Sequence, residues 1–162
     1  MMKKSKINNG YLMIESMIGI TIAIVGILGV LGLVSRSVSL NRLVSNQFIG
    51  NYLAAEGIEI TKNLIDANII QQKPWNQGFT TGSFEADYSS LTLESNRNRS
   101  ILLDPTDNRY GYQIGNATPF TRTINIELIG SEEIKVNSIV GWTTRGGGQF
   151  EVNLEDHFLN WR

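Results

Sequence analysis

The chain contains no cysteine. Disulfides, thiolate metal sites, iron–sulfur clusters and cysteine nucleophiles are therefore excluded, and an exported domain would have to stand on its core and sheet alone. Histidine occurs once, at His157, so no histidine-built metal site can form, and the residue reads as a surface group. Proline occurs three times, first at Pro74, so nothing before that point interrupts a helix. Basic excess is absent too: 14 lysines and arginines face 15 aspartates and glutamates, for a formal charge of −1. No nucleic-acid partner is expected on that balance. There is no G-x-S-x-G nucleophile motif. Gly146-Gly147-Gly148 is followed by neither Lys-Ser/Thr nor a helix, as a phosphate loop would require. Nothing points to catalysis. With 41% hydrophobic and 18% charged residues, the chain is nonetheless foldable by composition. Its 162 residues suit one compact domain and one extra element.

What is present is unevenly distributed. Residues 1–10, MMKKSKINNG, are short and basic, with Lys3, Lys4 and Lys6 and no acid before Glu15. Tyr11 to Val34 then read YLMIESMIGITIAIVGILGVLGLV, in which Glu15, Ser16 and Thr21 alone are strongly polar. As a helix this stretch spans roughly 36 Å, enough for a hydrocarbon layer of about 30 Å. Backbone groups there find no water, so helix is the expected conformation. A secretory signal would place its small-residue cut after the apolar run. Here the small residue at the boundary of charge and hydrophobicity is Gly10, before it. A cut at Gly10 removes the basic leader and keeps the helix whole. The remaining chain would hold 11 basic residues, the 14 less those three lysines, against 15 acidic ones, a net charge of −4.

Beyond Val34 the pattern becomes amphipathic. Leu40, Leu43, Val44, Phe48, Tyr52, Ala55, Ile58, Lys62 and Ile65 recur at steps of three and four. One nearly continuous helix is expected from about Leu12 to about Asn68. Residues 73–119 are turn-rich, with short strands expected at 84–93, 100–103 and 110–114. Period-two alternation predicts strands at 123–128, from Ile134 to Trp142, and at 150–154, the last two joined by a glycine turn at Arg145–Gln149. Trp142 and Trp161 are expected in the core. The fold class predicted is α+β: a long N-terminal helix, transmembrane then amphipathic, packed on a C-terminal antiparallel β-sheet.

Lys3-Lys4, then Gly10, then Tyr11-Leu12-Met13-Ile14-Glu15-Ser16 and an apolar helix resemble the cleavage and methylation motif of type IV prepilins and pseudopilins. That resemblance implies a pilin-like fold. It implies cleavage by a prepilin peptidase after Gly10, methylation of the new N-terminal Tyr11, and Glu15 as the fifth mature residue and assembly carboxylate. The chain departs from the family pattern in two places: the usual first residue is Phe, and the usual helix-bending proline is missing, with Gly32 near its place. Tyr52–Glu59 with Lys62-Asn63, and the ending around Val140-Gly141-Trp142 and Phe158–Arg162, resemble PilV-like minor pilins. The organisation implied is a leader at 1–10, a filament-core helix at 11–34, its amphipathic continuation at 35–70 and a β-rich head at 71–162. The partners implied are other pilin subunits, the peptidase, the membrane and an inner-membrane assembly platform. The place implied is first the cytoplasmic membrane, N-terminus inside, then a surface filament.

Each candidate residue also has a plainer reading. Glu15 could simply favour the helix N-terminus near the membrane interface, or pair with the amine of its own Tyr11. The apolar helix could be an anchor for a tethered extracellular binding domain, or belong to a type II secretion pseudopilin. Glu56 and Glu59 read as solvated helix charges. No cofactor is expected. Calcium is the weak exception, at Asp104, Asp107 and Asn108, whose spacing fits no EF-hand and suits a turn after Pro105 equally well.

Overall fold

The computed structural model describes residues 9–144 and 146–160, with side-chain surroundings given from Tyr11 onward. The leader lysines, Arg145, Trp161 and Arg162 lie outside the described residues. One helix, α1 (Asn9–Ile70), precedes seven strands: β1 (Gly82–Glu85), β2 (Glu94–Ser95), β3 (Ser100–Leu103), β4 (Tyr110–Gly111), β5 (Asn116–Ile129), β6 (Glu133–Thr143) and β7 (Gln149–Leu159). The expected α+β arrangement of a long helix on an antiparallel sheet is what is observed.

Two compact units divide the chain at Val44/Ser45. In the first, the helix from Tyr11 to Val34 is exposed at every position. In the second, residues 45–70 of the helix pack on the sheet. Strand β5 is its spine. On one side β5 pairs with β6 along ten residue pairs, from Phe120↔Trp142 to Ile129↔Glu133, and β6 pairs in turn with β7. On its other side the N-terminal half of β5 carries β3 and β4, and its C-terminal half carries β1 and β2. Pro119 has no N–H for a ladder. It sits where the β3–β5 register shifts, and there the Thr118 hydroxyl donates to the Ile101 carbonyl at 2.7 Å.

Alternation fills the buried face with Phe120, Arg122, Ile124 and Ile126 from β5 and Ile134, Val136, Ser138, Val140 and Trp142 from β6. Leu53, Ala54, Ile60, Thr61 and Ile65 of α1 lie against it. This corrects the helix stripe read from sequence. Phe48 and Tyr52 are 73% and 64% exposed, and Ala55 is exposed as well. Ile58 and Ile65 do face the sheet, but between Gly50 and Gly57 the sheet-facing positions include small residues, because bulky sheet side chains need the room. A Cβ at Gly50 would lie 2.6 Å from the Trp142 ring, and one at Gly57 would meet Ser138 Oγ and stand 3.2 Å from Arg122 Cδ.

The strand expected at 84–93 is broken instead. Asp87 turns the chain by accepting hydrogen bonds from the Ser89 amide and hydroxyl and the Ser90 hydroxyl on Oδ1, and from the buried Tyr112 amide on Oδ2. Burial alone would push this carboxyl up, yet those hydrogen bonds hold it below its ordinary range. Strand β7 runs on to Leu159, beyond the predicted Leu154, because β6 pairs with it down to Glu133↔Leu159.

Two substitutions test this packing. Trp142 is held between Phe120 and Phe150, at centroid distances of 5.6 and 5.8 Å, and cannot yield easily. Gly50→Ala should therefore destabilise the head by about 1–3 kcal/mol in a denaturant titration followed by tryptophan fluorescence. Asp87→Ala should cost about 1–3 kcal/mol by stranding the Tyr112 amide. Stability that depends on Asp87 should be present above the carboxylate's unfolded pKa and fade as pH falls through its lower folded value.

Candidate assembly helix and the ionic seam of the head

The sequence placed function on the N-terminal helix, and its local chemistry is specific. Every backbone group inside a helix is bonded within the helix. The side-chain hydroxyls follow suit: Ser16 donates to the Leu12 carbonyl and Thr21 to the Met17 carbonyl, both at 2.8 Å, and Ser39 to the Ser35 carbonyl at 3.1 Å. Glu15 is the exception. Among the described residues nothing bonds to its carboxylate. The surrounding surface is apolar and open, with Tyr11 at 76%, Met13 at 70% and Leu33 at 71% exposure. Added Cβ atoms at Gly19, Gly26, Gly29 and Gly32 would meet nothing within 4 Å. This helix is long and apolar enough to cross a membrane once, and none of its apolar window is covered by the chain. Gly10 lies in the same helix, directly before Tyr11.

Two of the three calcium candidates, Asp104 and Asp107, accept hydrogen bonds from the local backbone. Asp104 Oδ1 accepts from the Thr106 amide at 2.7 Å, and Asp107 Oδ1 from the Arg109 amide at 3.0 Å. The Arg109 Nε stands 3.5 Å from Asp107 Oδ2. Asn108 takes a left-handed φ of 58°. The two aspartates cap a turn. Among the described residues no group of three His, Asp or Glu side chains converges as a metal would need.

Comparison of the chain with protein-family models, with curated proteins and with solved structures returns no match in any of the three.

The head holds charges where sequence reasoning expected none. Arg122 is 1% exposed. It donates to the Leu53 carbonyl and to Glu56 Oε2 at 2.9 Å, and to the Ala86 carbonyl at 2.6 Å. Glu56 is thus a partner of the sheet, not a solvated helix charge, whereas Glu59 is well exposed beside Lys62. Glu85, equally buried, accepts from Arg99 Nε at 2.7 Å. The Arg99 guanidinium lies 4.8 Å from the Tyr112 ring centroid. Burial raises the Tyr112 phenol above its usual range. The Tyr112 hydroxyl, Arg122 Nε and Ser138 Oγ have no hydrogen-bond partner among the described residues. These groups form a polar seam between two apolar clusters, one around Leu53, Phe120 and Trp142, the other around Ile60, Ile124 and Val136. A signal for Arg122 did exist in the sequence: it shares the parity of Ile124 and Ile126.

On the outer face of the sheet His157 is exposed, as expected. Its ring contacts Glu133 through Nδ1 and Glu155 through Nε2. Both carboxylates raise its pKa, Glu133 first. Glu155, bonded by Asn137, His157 and Lys135, is lowered to about 2.

Arg122→Leu should lower head stability by about 3 kcal/mol, since Glu56 and two carbonyls lose their donor and Glu56 is only partly wetted. Thermal unfolding of the variant against Glu56→Gln, which keeps an acceptor, is the comparison to make. An NMR pH titration should place His157 above 6.5. Its ion pairs then stabilise the head fully below the unfolded pKa, and the contribution is lost as pH rises through the folded one.

Proposed function

We propose that this chain is a structural subunit, a minor pilin, of a type IV pilus-like filament, cut after Gly10 by a prepilin peptidase and assembled through its apolar N-terminal helix. The observation that carries the reading is that helix itself. From Tyr11 to Val34 the Ser16 and Thr21 hydroxyls are satisfied within the helix, the apolar side chains are open, and Glu15, one turn after the cut, is the one charged group, without a partner among the described residues.

In the membrane, lipid tails cover that surface. After extraction, other copies of the helix would have to do so, because each large apolar side chain left in water costs about 1.5–3 kcal/mol. Glu15 is the selecting element. A carboxylate in hydrocarbon costs about 2.5–3.5 kcal/mol on insertion scales. The amine created at Tyr11 by the cut offers it a counter-ion on a neighbouring copy. Cleavage thus creates the positive partner and removes Lys3, Lys4 and Lys6, which would hold the N-terminus at the cytoplasmic surface.

Mass spectrometry of the protein from a peptidase-proficient host should find an N-terminus at Tyr11, N-methylated. The intact Met1 terminus in that host would contradict the proposal. Glu15→Leu should leave membrane insertion unchanged and reduce recovery in sheared filaments at least about tenfold, as loss of a desolvated charge pair implies. A merely tethered domain would be indifferent to that substitution.

A further inference from the structure

A cleft of about 460 Å³ opens on the head, lined by Tyr52, Glu56, Tyr88, Asn108, Arg109 and Tyr110. This is within the range of small-molecule sites, about 300–1,000 Å³. Three of its six walls are tyrosines. Tyr52 and Tyr88 are 64% and 52% exposed, so both rings reach solvent, with Arg109 over one face of Tyr88. The remaining three are planar polar groups, a carboxylate, an amide and a guanidinium, each able to hold two neighbouring hydroxyls at once.

The charges decide the ligand class. Glu56 is neutralised from within by Arg122 at 2.9 Å. Arg109 is paired with Asp107 at 3.5 Å and lies 5.2 Å from the Tyr88 ring centroid. Neither sign is left over, so an ionic ligand would find no counter-charge to offset its desolvation. Asn108 is held at the rim by its left-handed backbone and by the bond from its amide to the Asp104 carbonyl at 2.9 Å, and its side-chain amide has no partner among the described residues. Aromatic faces combined with compensated planar donors and acceptors suit a neutral ring that is apolar on its C–H face and polar at its rim. The geometry points to a binding site for a neutral pyranose unit of a saccharide, with Tyr88 and Tyr52 as stacking faces and Asn108, Glu56 and Arg109 taking the hydroxyls. The site lies wholly on the head and does not depend on filament assembly.

The test uses the full chain in lauryldimethylamine oxide micelles, a detergent without a sugar headgroup. Methyl pyranosides of glucose, galactose, mannose and N-acetylglucosamine are titrated under saturation-transfer NMR. At least one should bind with a Kd below about 10 mM. Tyr88→Ala should weaken it about tenfold through the lost stacking face. Asn108→Gly keeps the left-handed backbone and removes only the amide, so it should weaken binding by a similar factor with an unchanged melting temperature. The proposal is overturned if no pyranoside binds, if both variants bind like the parent, or if acetate or tetramethylammonium displaces the sugar more tightly than another sugar does.

Discussion

The first unit of this molecule is organised around an apolar helix surface that the described residues do not cover. The first unit presents the segment from Tyr11 to Val34 as helix, with the Ser16 and Thr21 hydroxyls bonded within it and its hydrocarbon open. Water is a poor solvent for such a surface. A bilayer can take it, and on the proposed function so can the same surface on other copies. On the proposed reading, a subunit that moves from one to the other needs no hinge in this segment, only a change of neighbours. That fits a helix with no proline before Pro74.

The head meets a different constraint. Residues 45–70 of the helix are both part of the long rod and one wall of the head core. Its sheet-facing side therefore includes small residues, Gly50, Ala54 and Gly57, so that Trp142 and the Arg122–Ser138 row can approach closely. Its opposite side keeps Phe48 and Tyr52 exposed. Arg122 then ties the two layers together by hydrogen-bonding the helix backbone, Glu56 and the Ala86 loop from within β5. A domain without disulfides thereby gains a cross-layer clamp in its place.

Much of this was legible in the sequence. A long proline-free apolar run fixes helix and membrane length, and period-two alternation marks β5 to β7. The parts that were misread share one cause. Polar side chains were assigned to solvent or to strand by type, while their roles depend on partners far away in the chain. Asp87 breaks a plausible strand because Ser89, Ser90 and Tyr112 converge on it. Glu56 is paired through a residue 66 positions away. The polar end of β7, Glu155-Asp156-His157, is carried by its ladder to β6 and by the contacts among Glu133, His157, Glu155 and Lys135. The amphipathic stripe of α1 holds at Ile58 and Ile65 and fails at Phe48, Tyr52 and Ala55, because Gly50, Ala54 and Gly57 face the bulky sheet side chains there. Nothing local in the sequence shows the cleft at Tyr52, Tyr88 and Asn108, which only the fold brings together.

Because the chain is free of cysteine, single cysteines report on neighbours without background. Placing one at a time along Ile22 to Leu33, oxidising cells that carry the protein, and separating the filament fraction tests the central claim most directly. The account predicts disulfide-linked dimers whose yield rises and falls with helical period, every three to four residues, in filaments. Uniform absence of cross-links from the filament fraction, with every position open to a lipid-soluble thiol reagent, would contradict it.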